Sequence, residues 1–428
     1  MPSAPSPPDR NGMSCSQPAS MSKASDEAWR KAGGASASKQ RPIRLCFISS
    51  FPPNKARLAE HSGALVGALL EKKVIGNIDI IADKAEGAPA QELISQKATV
   101  HRIWEADRPL TFAKVIRAIL VRHPDVVHFN MHFQSFGRSR LSNFIGLSMP
   151  FFSRLLGFRT IVTIHNLAEK VDLKKVGLKP SLINRISIRL ASWLFTRANA
   201  VTTTVRSYSR YLRESYGANA FFVPHGAGDP SPAPQKRIKN ARDFRILFFG
   251  HMSPYKGLSV ALDAYSSLKM GSKKVELWIG GQSHPNFTGF LEGYKMKLAG
   301  NGVRFLDYVK EEEIPSVFAS ADVVVLPYLV ATGTSGVFHL AASYGKAVVA
   351  SDLPEIREMV EDGASAFLIP PGDSNALHAA LSRLSSDPAL AREMATQNRA
   401  YAAKNNWSRV ASDLISIYND CPDIRISP

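Results

Sequence analysis

The chain has 428 residues, 45% of them hydrophobic, and a formal net charge of +17, a length that exceeds one ordinary core and suits two. Three scattered cysteines, Cys15, Cys46 and Cys421, lack CxxC spacing, which excludes a disulfide framework and a cysteine zinc site and fits a reducing cytoplasm. No apolar run reaches the roughly 18 residues of a membrane span; the longest candidate, Leu141 to Phe158, is broken by Pro150 and Arg154.

In chain order, residues 1–40 are rich in Ser, Pro and Ala without apolar periodicity. They read as a disordered tail with no secretory signal. From Ile43 onward short apolar runs alternate with amphipathic ones. Ile43–Ser49, Ile78–Ala82, Val100–Trp104, Asp125–Phe129, Arg159–His165 and Ala200–Thr204 read as buried parallel strands. Leu58–Lys72, Phe112–Arg122 and Leu182–Phe195 read as the helices between them. Residues 41–228 thus form one Rossmann-like α/β domain, and the proline-bearing stretch 229–243 reads as a linker. The alternation restarts in 244–406, with strands at Phe244–Gly250, Val275–Gly280, Val303–Leu306, Ala321–Pro327, Ala347–Ser351 and Ala366–Pro370. Helices fall at Leu258–Lys269, Pro315–Ser320, Val337–Tyr344 and Asn375–Leu384. A final helix from Trp407, within 407–428, is expected to pack back on the first half. The fold class is therefore α/β, with two parallel-sheet domains facing across a cleft, and ligands belong outside the carboxyl ends of the strands.

Two loops carry the chemistry. Gly250-His251-Met252-Ser253-Pro254-Tyr255-Lys256-Gly257 ends a strand and opens a helix. Glycine admits close backbone approach, a helix start favours negative charge, and Lys256 adds a cation. The spacing is neither GxGxxG nor a P-loop; a plain strand–helix turn with an exposed lysine is the alternative. The second loop, Ala331-Thr332-Gly333-Thr334-Ser335-Gly336, follows Pro327-Tyr328 and again opens a helix. Thr334 or Ser335 can cap that helix, and its first N–H groups suit a diphosphate, although ordinary capping would look the same.

On these residues the chain resembles the family 4 glycosyltransferases, which have the GT-B fold. "FFGHMSPYKG", "YVKEEEIPSVFASADVVVLPY", "TGTSGVFHLAASYGKAVVASDLPEIREMVEDG" and "PPGD" follow the family's order, as do "VTIHN" and "VPHG" in the first half. The resemblance implies a donor site for a nucleotide-diphosphate sugar, a co-substrate and not a cofactor. Gly250, His251, Lys256, Thr334, Ser335 and Gly336 would bind the diphosphate, and Tyr308 and Val309 would lie near the base. His165 would face the transferred sugar and, with Lys256, serve catalysis. Ser50, Glu60, Gly63 and His132 would line the acceptor side. No metal is expected: no Asp-x-Asp occurs, and preorganised cations and dipoles can stabilise the leaving diphosphate instead.

Two departures from the family pattern stand out. Its arginine in the glycine turn is His251 here. Its two glutamates eight positions apart fall on Thr332 and Leu340, an absence shared by a sub-pattern with "SATQSG" in this loop. Residues 41–229 hold 27 basic and 13 acidic residues, a net +14. The helix Ser181–Thr196 and the stretch Phe144–Arg159 are both apolar and basic. An anionic membrane surface is one partner for this half, and a core-facing helix with solvated arginines is the other reading. No nucleic-acid motif is present. The expected function is sugar transfer to a glycan or lipid-linked acceptor in surface polysaccharide synthesis, retaining and metal-independent, in the cytoplasm or at the inner face of the membrane. The alternatives are a nucleotide-sugar epimerase of the same fold, which would need an acid/base pair such as His165 with Glu60, and a non-catalytic GT-B assembly protein.

Overall fold

A computed structural model describes residues 41–54, 57–137, 139–171, 181–228, 243–268, 274–284, 287–298 and 302–420. The expected tail (1–40) and almost all of the expected linker (229–242) lie outside them.

The first sheet contains β1 (Ile43–Ile48), β2 (Ile75–Asp83), β3 (Gln91–Ser95), β4 (Ala98–Trp104), β5 (Val126–Met131), β6 (Thr160–Ile164), β7 (Ala200–Thr203) and β8 (Ala220–Phe222). Their order is β3-β4-β2-β1-β5-β6-β7-β8. All pairings are parallel except β3 with β4. The central strands β5, β6 and β7 are buried at every position, as parallel strands covered on both faces must be. The sequence reading lacks β3 and β8. The first is a mostly exposed edge strand, Gln-Glu-Leu-Ile-Ser, whose polarity reads as loop; the second has three residues, too short to show a period.

In the first half the reading also leaves two α-helices unassigned. Arg140–Leu155 starts where the Ser139 side chain accepts a bond from Ser142 N, and it runs through a buried Pro150. Proline inside a helix argues against one in sequence, but here the helix runs on through a buried proline. Arg206–Tyr216 ends at Gly217, which takes a left-handed φ of 60° of the kind glycine supplies at helix ends.

The second sheet contains β9 (Asp243–Phe249), β10 (Lys274–Gly280), β11 (Val303–Asp307), β12 (Val323–Leu326), β13 (Ala347–Ser351) and β14 (Phe367–Ile369). Their order is β11-β10-β9-β12-β13-β14, parallel throughout. Apolar clusters pack on it around Phe248, Leu277 and Val325 and around Phe318, Phe338 and Val348.

The helix Trp407–Asp420 lies on the first half, against helix Arg57–Leu70. Tyr418 is fully buried there, with its hydroxyl 2.6 Å from His128 Nδ1. Arg159 donates to the Tyr418 carbonyl (2.8 Å) and Lys72 to Ser408 Oγ (2.8 Å). A second tie joins the halves. Glu358, from helix Pro354–Glu361, accepts from Arg206 N (2.7 Å) and Ser207 N (3.0 Å) and so caps helix Arg206–Tyr216. Arg206 also pairs with Asp362 at 3.2 Å. A carboxylate at a helix N-terminus satisfies orphan N–H groups and meets the positive end of its dipole. Among the described residues no helix is long and apolar enough to cross a membrane.

Candidate active site

Each sheet has one point where the strand order reverses: between β1 and β5 in the first, and between β9 and β12 in the second. Such crevices are where open parallel sheets bind ligands. The residues after β9 and β12 are the lysine turn and the small-residue loop, and they touch. A Cβ on Gly257, whose φ is 71°, would lie 1.9 Å from the Pro327 carbonyl oxygen. Leu329 N donates to Tyr255 O at 2.8 Å. The Lys256 ammonium sits 3.5 Å from the centroid of the Tyr328 ring, a cation–π contact that points the charge along the seam of the two loops.

The second loop opens helix Gly336–Ser343. Ser335 caps it by accepting from Phe338 N at 3.3 Å, and Tyr328 OH lies 3.3 Å from the same oxygen. The N–H groups of Gly336 and Val337 then have no carbonyl within the helix to reach. Thr334 Oγ1 lies 3.2 Å from His339 Nε2. The structure thus brings Lys256, Thr334, Ser335 and Gly336 to one seam.

Gly250, Tyr308 and Val309 continue the same rim. Gly250 N donates to Gly280 O, and Gly281 N to Asp307 O. Val309 is buried against Gly280, while Tyr308 is 39% exposed. The charge of Glu60 helps to raise the Tyr308 hydroxyl above its ordinary pKa, after burial. Glu60, on the first half, therefore faces the second half. His251 lies 6.4 Å, ring to ring, from His284.

On the first half, Ser50 Oγ donates to Asp83 Oδ2 at 3.0 Å and Asn54 Nδ2 bonds the same oxygen. Gly63 packs against Pro52, where a Cβ would come within 3.2 Å of the ring. His132 follows β5, and its ring feels the charge of His284 from the other half. His165 follows β6 and touches the second half: a Cβ on Gly333 would lie 2.2 Å from its carbonyl oxygen. The Asn166 side chain of the same motif accepts from Phe133 N at 2.8 Å, which fastens the turn after β5.

The structure adds residues that the sequence reading did not single out. His61, His225 and His339 form a row of rings with His165. Centroids are 4.4 Å apart for His61–His165, 5.1 Å for His61–His225 and 4.8 Å for the stacked His225–His339 pair. Trp407 closes on His61 at 4.9 Å and needs Gly226 beneath it, where any Cβ would meet its ring at 2.2 Å. The row begins beside Asn130, whose Oδ1 is 2.7 Å from His165 Nε2. One signal was available in sequence: His128 and Asn130 are polar positions inside the otherwise apolar "VVHFNM". His225 stood in the quoted "VPHG" without a role.

Burial sets the charge of this row. It pushes His61, His165 and His339 well below the usual histidine pKa, and neighbouring imidazoles push in the same direction. Burial lowers His132 to about 4 and His128 to about 3. Burial thus favours the neutral form of all five rings at pH 7. In the unfolded chain these histidines titrate near 6.5. Below that pH the unfolded state binds more protons, so stability is intact above pH 6.5 and falls as pH drops towards 4. Thermal midpoints taken from pH 7.5 to 5 should decline steeply, and His132→Gln should remove about one proton from the slope. A flat profile over that window would contradict neutral burial of the row.

Comparison with known proteins agrees with this architecture. Residues 76–227 match the family described as Glycosyltransferase Family 4, and residues 243–387 match Glycosyl transferases group 1. Each half of the chain thus matches a glycosyltransferase domain, the first of them of Family 4. The chain has the GT-B fold. The sucrose-phosphate synthase of Thermosynechococcus elongatus superposes with a TM-score of 0.70 at 19% identity, covering 88% of this chain and 98% of that one. HepE of Anabaena in complex with UDP-glucose gives 0.65 at 19%, covering 88% and 99%. Among curated relatives, the phosphatidyl-myo-inositol mannosyltransferase of Mycobacterium leprae is 31% identical over 214 residues, 49% of this chain and 56% of that protein. The chain spans about half the length of the curated relatives it matches.

Proposed function

We propose that the chain transfers a hexosyl group from a nucleoside-diphosphate sugar to a glycan or lipid-linked acceptor in surface polysaccharide synthesis. The observation that carries this reading is the seam at the second switch point, where Lys256, the Ser335-capped helix start and Gly257 meet. Transfer breaks the bond between the sugar's anomeric carbon and the diphosphate and forms one to an acceptor hydroxyl. Charge develops on the departing diphosphate, and a fixed cation with helix N–H groups is placed to stabilise it. The reading is metal-independent because that cation is the protein's own, and retention of configuration follows the family's usual outcome. An epimerase would need an acid/base pair in this cleft, such as His165 with Glu60. Asp83 is held by Ser50 and Asn54, and His165 is neutral.

The first half supports a lipid-linked acceptor and a peripheral place at the inner face of the membrane. Ile183, Ile186, Leu190 and Trp193 of helix Leu182–Phe195 are 67%, 57%, 46% and 43% exposed. Their spacing puts them on one face, and that face points outward. The adjacent helix Arg140–Leu155 exposes Leu141 and Leu155, and Arg185 and Arg189 are exposed among them. An outward apolar stripe beside arginines suits an anionic bilayer surface.

The test is a thermal-shift screen of nucleoside diphosphates and their sugars, followed by product analysis with and without anionic vesicles. A native-state ligand raises the melting temperature. Stabilisation by one nucleoside diphosphate, with sugar delivered only when acceptor lipid is present, is the expected result. No stabilisation by any of them overturns the donor site, and an epimerised sugar from donor alone overturns transfer.

A further inference from the structure

We propose that Asn130 is a positioning residue that fixes His165 as the Nε2–H tautomer, leaving Nδ1 as the ring's hydrogen-bond acceptor. What that acceptor does rests on the transferase reading above; the tautomer itself does not.

Proton counting inside the first sheet's crevice carries the argument. Asn130 lies in β5, one residue before its end, and is 0% exposed; Ser49 and Ser62 beside it are 3% and 0% exposed. Ser49 Oγ donates its one proton to the Asn130 carbonyl at 2.9 Å. Ser62 Oγ has the Leu58 carbonyl at 2.6 Å and Ser49 Oγ at 2.8 Å as targets for its single proton. Both serine oxygens are thus left as acceptors facing the Asn130 amide, at 3.2 Å and 3.0 Å. A buried polar group pairs wherever it can, and only the NH₂ of the amide can serve two acceptors. The amide oxygen is then turned to the other side, where it stands 2.7 Å from His165 Nε2. An oxygen at that distance requires a proton on Nε2.

A flipped amide would set NH₂ against Nε2 and an oxygen against two serine oxygens whose protons point elsewhere. The serines therefore choose the amide, and the amide chooses the tautomer. Among the described residues, the ionisable groups that act on His165 are imidazoles: His61 from helix Arg57–Leu70, His225 after β8, His128 from β5 and His132 just after it. None supplies a negative charge to hold a second proton on the ring. His165 can accept from a sugar hydroxyl, but its one N–H is committed to Asn130. It would act by orientation and not as a proton donor.

The experiment is a two-bond proton–nitrogen correlation spectrum of the full chain labelled with ¹⁵N-histidine, from pH 5.5 to 8.5, with the His165 signals identified by their loss in His165→Gln. The expected result is a protonated Nε2 and an unprotonated Nδ1 across the range. A proton on Nδ1 in the native chain overturns the proposal whatever the variants do. Asn130→Ala should give mixed tautomers, and Ser62→Ala, which removes one acceptor behind the amide, should move the spectrum in the same direction. Asn130→Asp should bring His165 titration up into the measured range, because a carboxylate favours the doubly protonated ring. An unchanged tautomer in folded Asn130→Ala overturns the role of Asn130. Nucleoside diphosphate binding in the same samples is a separate readout: its absence in the native chain defeats the transferase reading and leaves the tautomer assignment standing.

Discussion

Lys256→Ala should weaken nucleoside diphosphate binding by roughly tenfold to a hundredfold. A hydrogen bond to a charged group contributes about 1.5–3 kcal/mol, and each 1.4 kcal/mol is about tenfold in affinity. The lysine is half-buried at the seam of two loops and held over Tyr328, so its ammonium meets a diphosphate already oriented and partly desolvated. The fold should tolerate the change, since the cation–π contact contributes only about 0.5–1 kcal/mol at such a site. Calorimetric titration with UDP and GDP, alongside the melting temperature of the free protein, separates the two effects. Equal affinity in the variant would remove Lys256 from the donor site. Loss of binding with a large fall in melting temperature would show a structural lysine instead.

Much of the local structure of the two loops could be read before the structure because its signals are local. A strand that ends at Phe249 and a helix that begins after Gly257 bracket Lys256 within one stretch of chain, and β12 with helix Gly336–Ser343 brackets the second loop in the same way. Runs such as Val323–Leu326 and Ala347–Ser351, buried at every position, leave no ambiguity of period. What local pattern could not give is the contact of Gly257 with Pro327, since that depends on β9 and β12 lying side by side in the sheet.

The first half was less legible for the same reason. The histidine row draws His61 from a helix, His165 from a strand end, His225 from a turn and His339 from the other half. No two are close in sequence, and only His165 was given a role there, from the family resemblance. The outward stripe on helix Leu182–Phe195 shows a different limit. Amphipathic spacing tells that one face is apolar but not which way it points, and only packing places Ile183, Ile186 and Trp193 on the solvent side.

Gly333→Val should separate the two halves functionally without unfolding either. A Cβ at this position would fall 2.2 Å from the His165 carbonyl oxygen, and the clash is between the halves. Backbone cannot yield as a flexible side chain can, so the second loop and the first half must move apart. A misplacement of about 1 Å in a reacting site can cost roughly a hundredfold in rate, and transfer should fall by about that much. Donor binding should change little, because the lysine seam lies within the second half.

Gly257→Val is the control that puts the same bulk inside one half. Its Cβ would lie 1.9 Å from the Pro327 carbonyl, and its φ of 71° disfavours any branched residue. That variant should lose both nucleotide binding and several degrees of melting temperature. The pair is read by calorimetry with the nucleoside diphosphate, by transfer assays and by thermal unfolding. If Gly333→Val loses nucleotide affinity as fully as Gly257→Val does, the loop and not the closure of the halves has moved. If it transfers sugar at the native rate, the contact between Gly333 and His165 has no part in the working geometry. The expected split, with binding kept and transfer lost, would show that the phosphate end of the donor is held by one half and the reacting end by both.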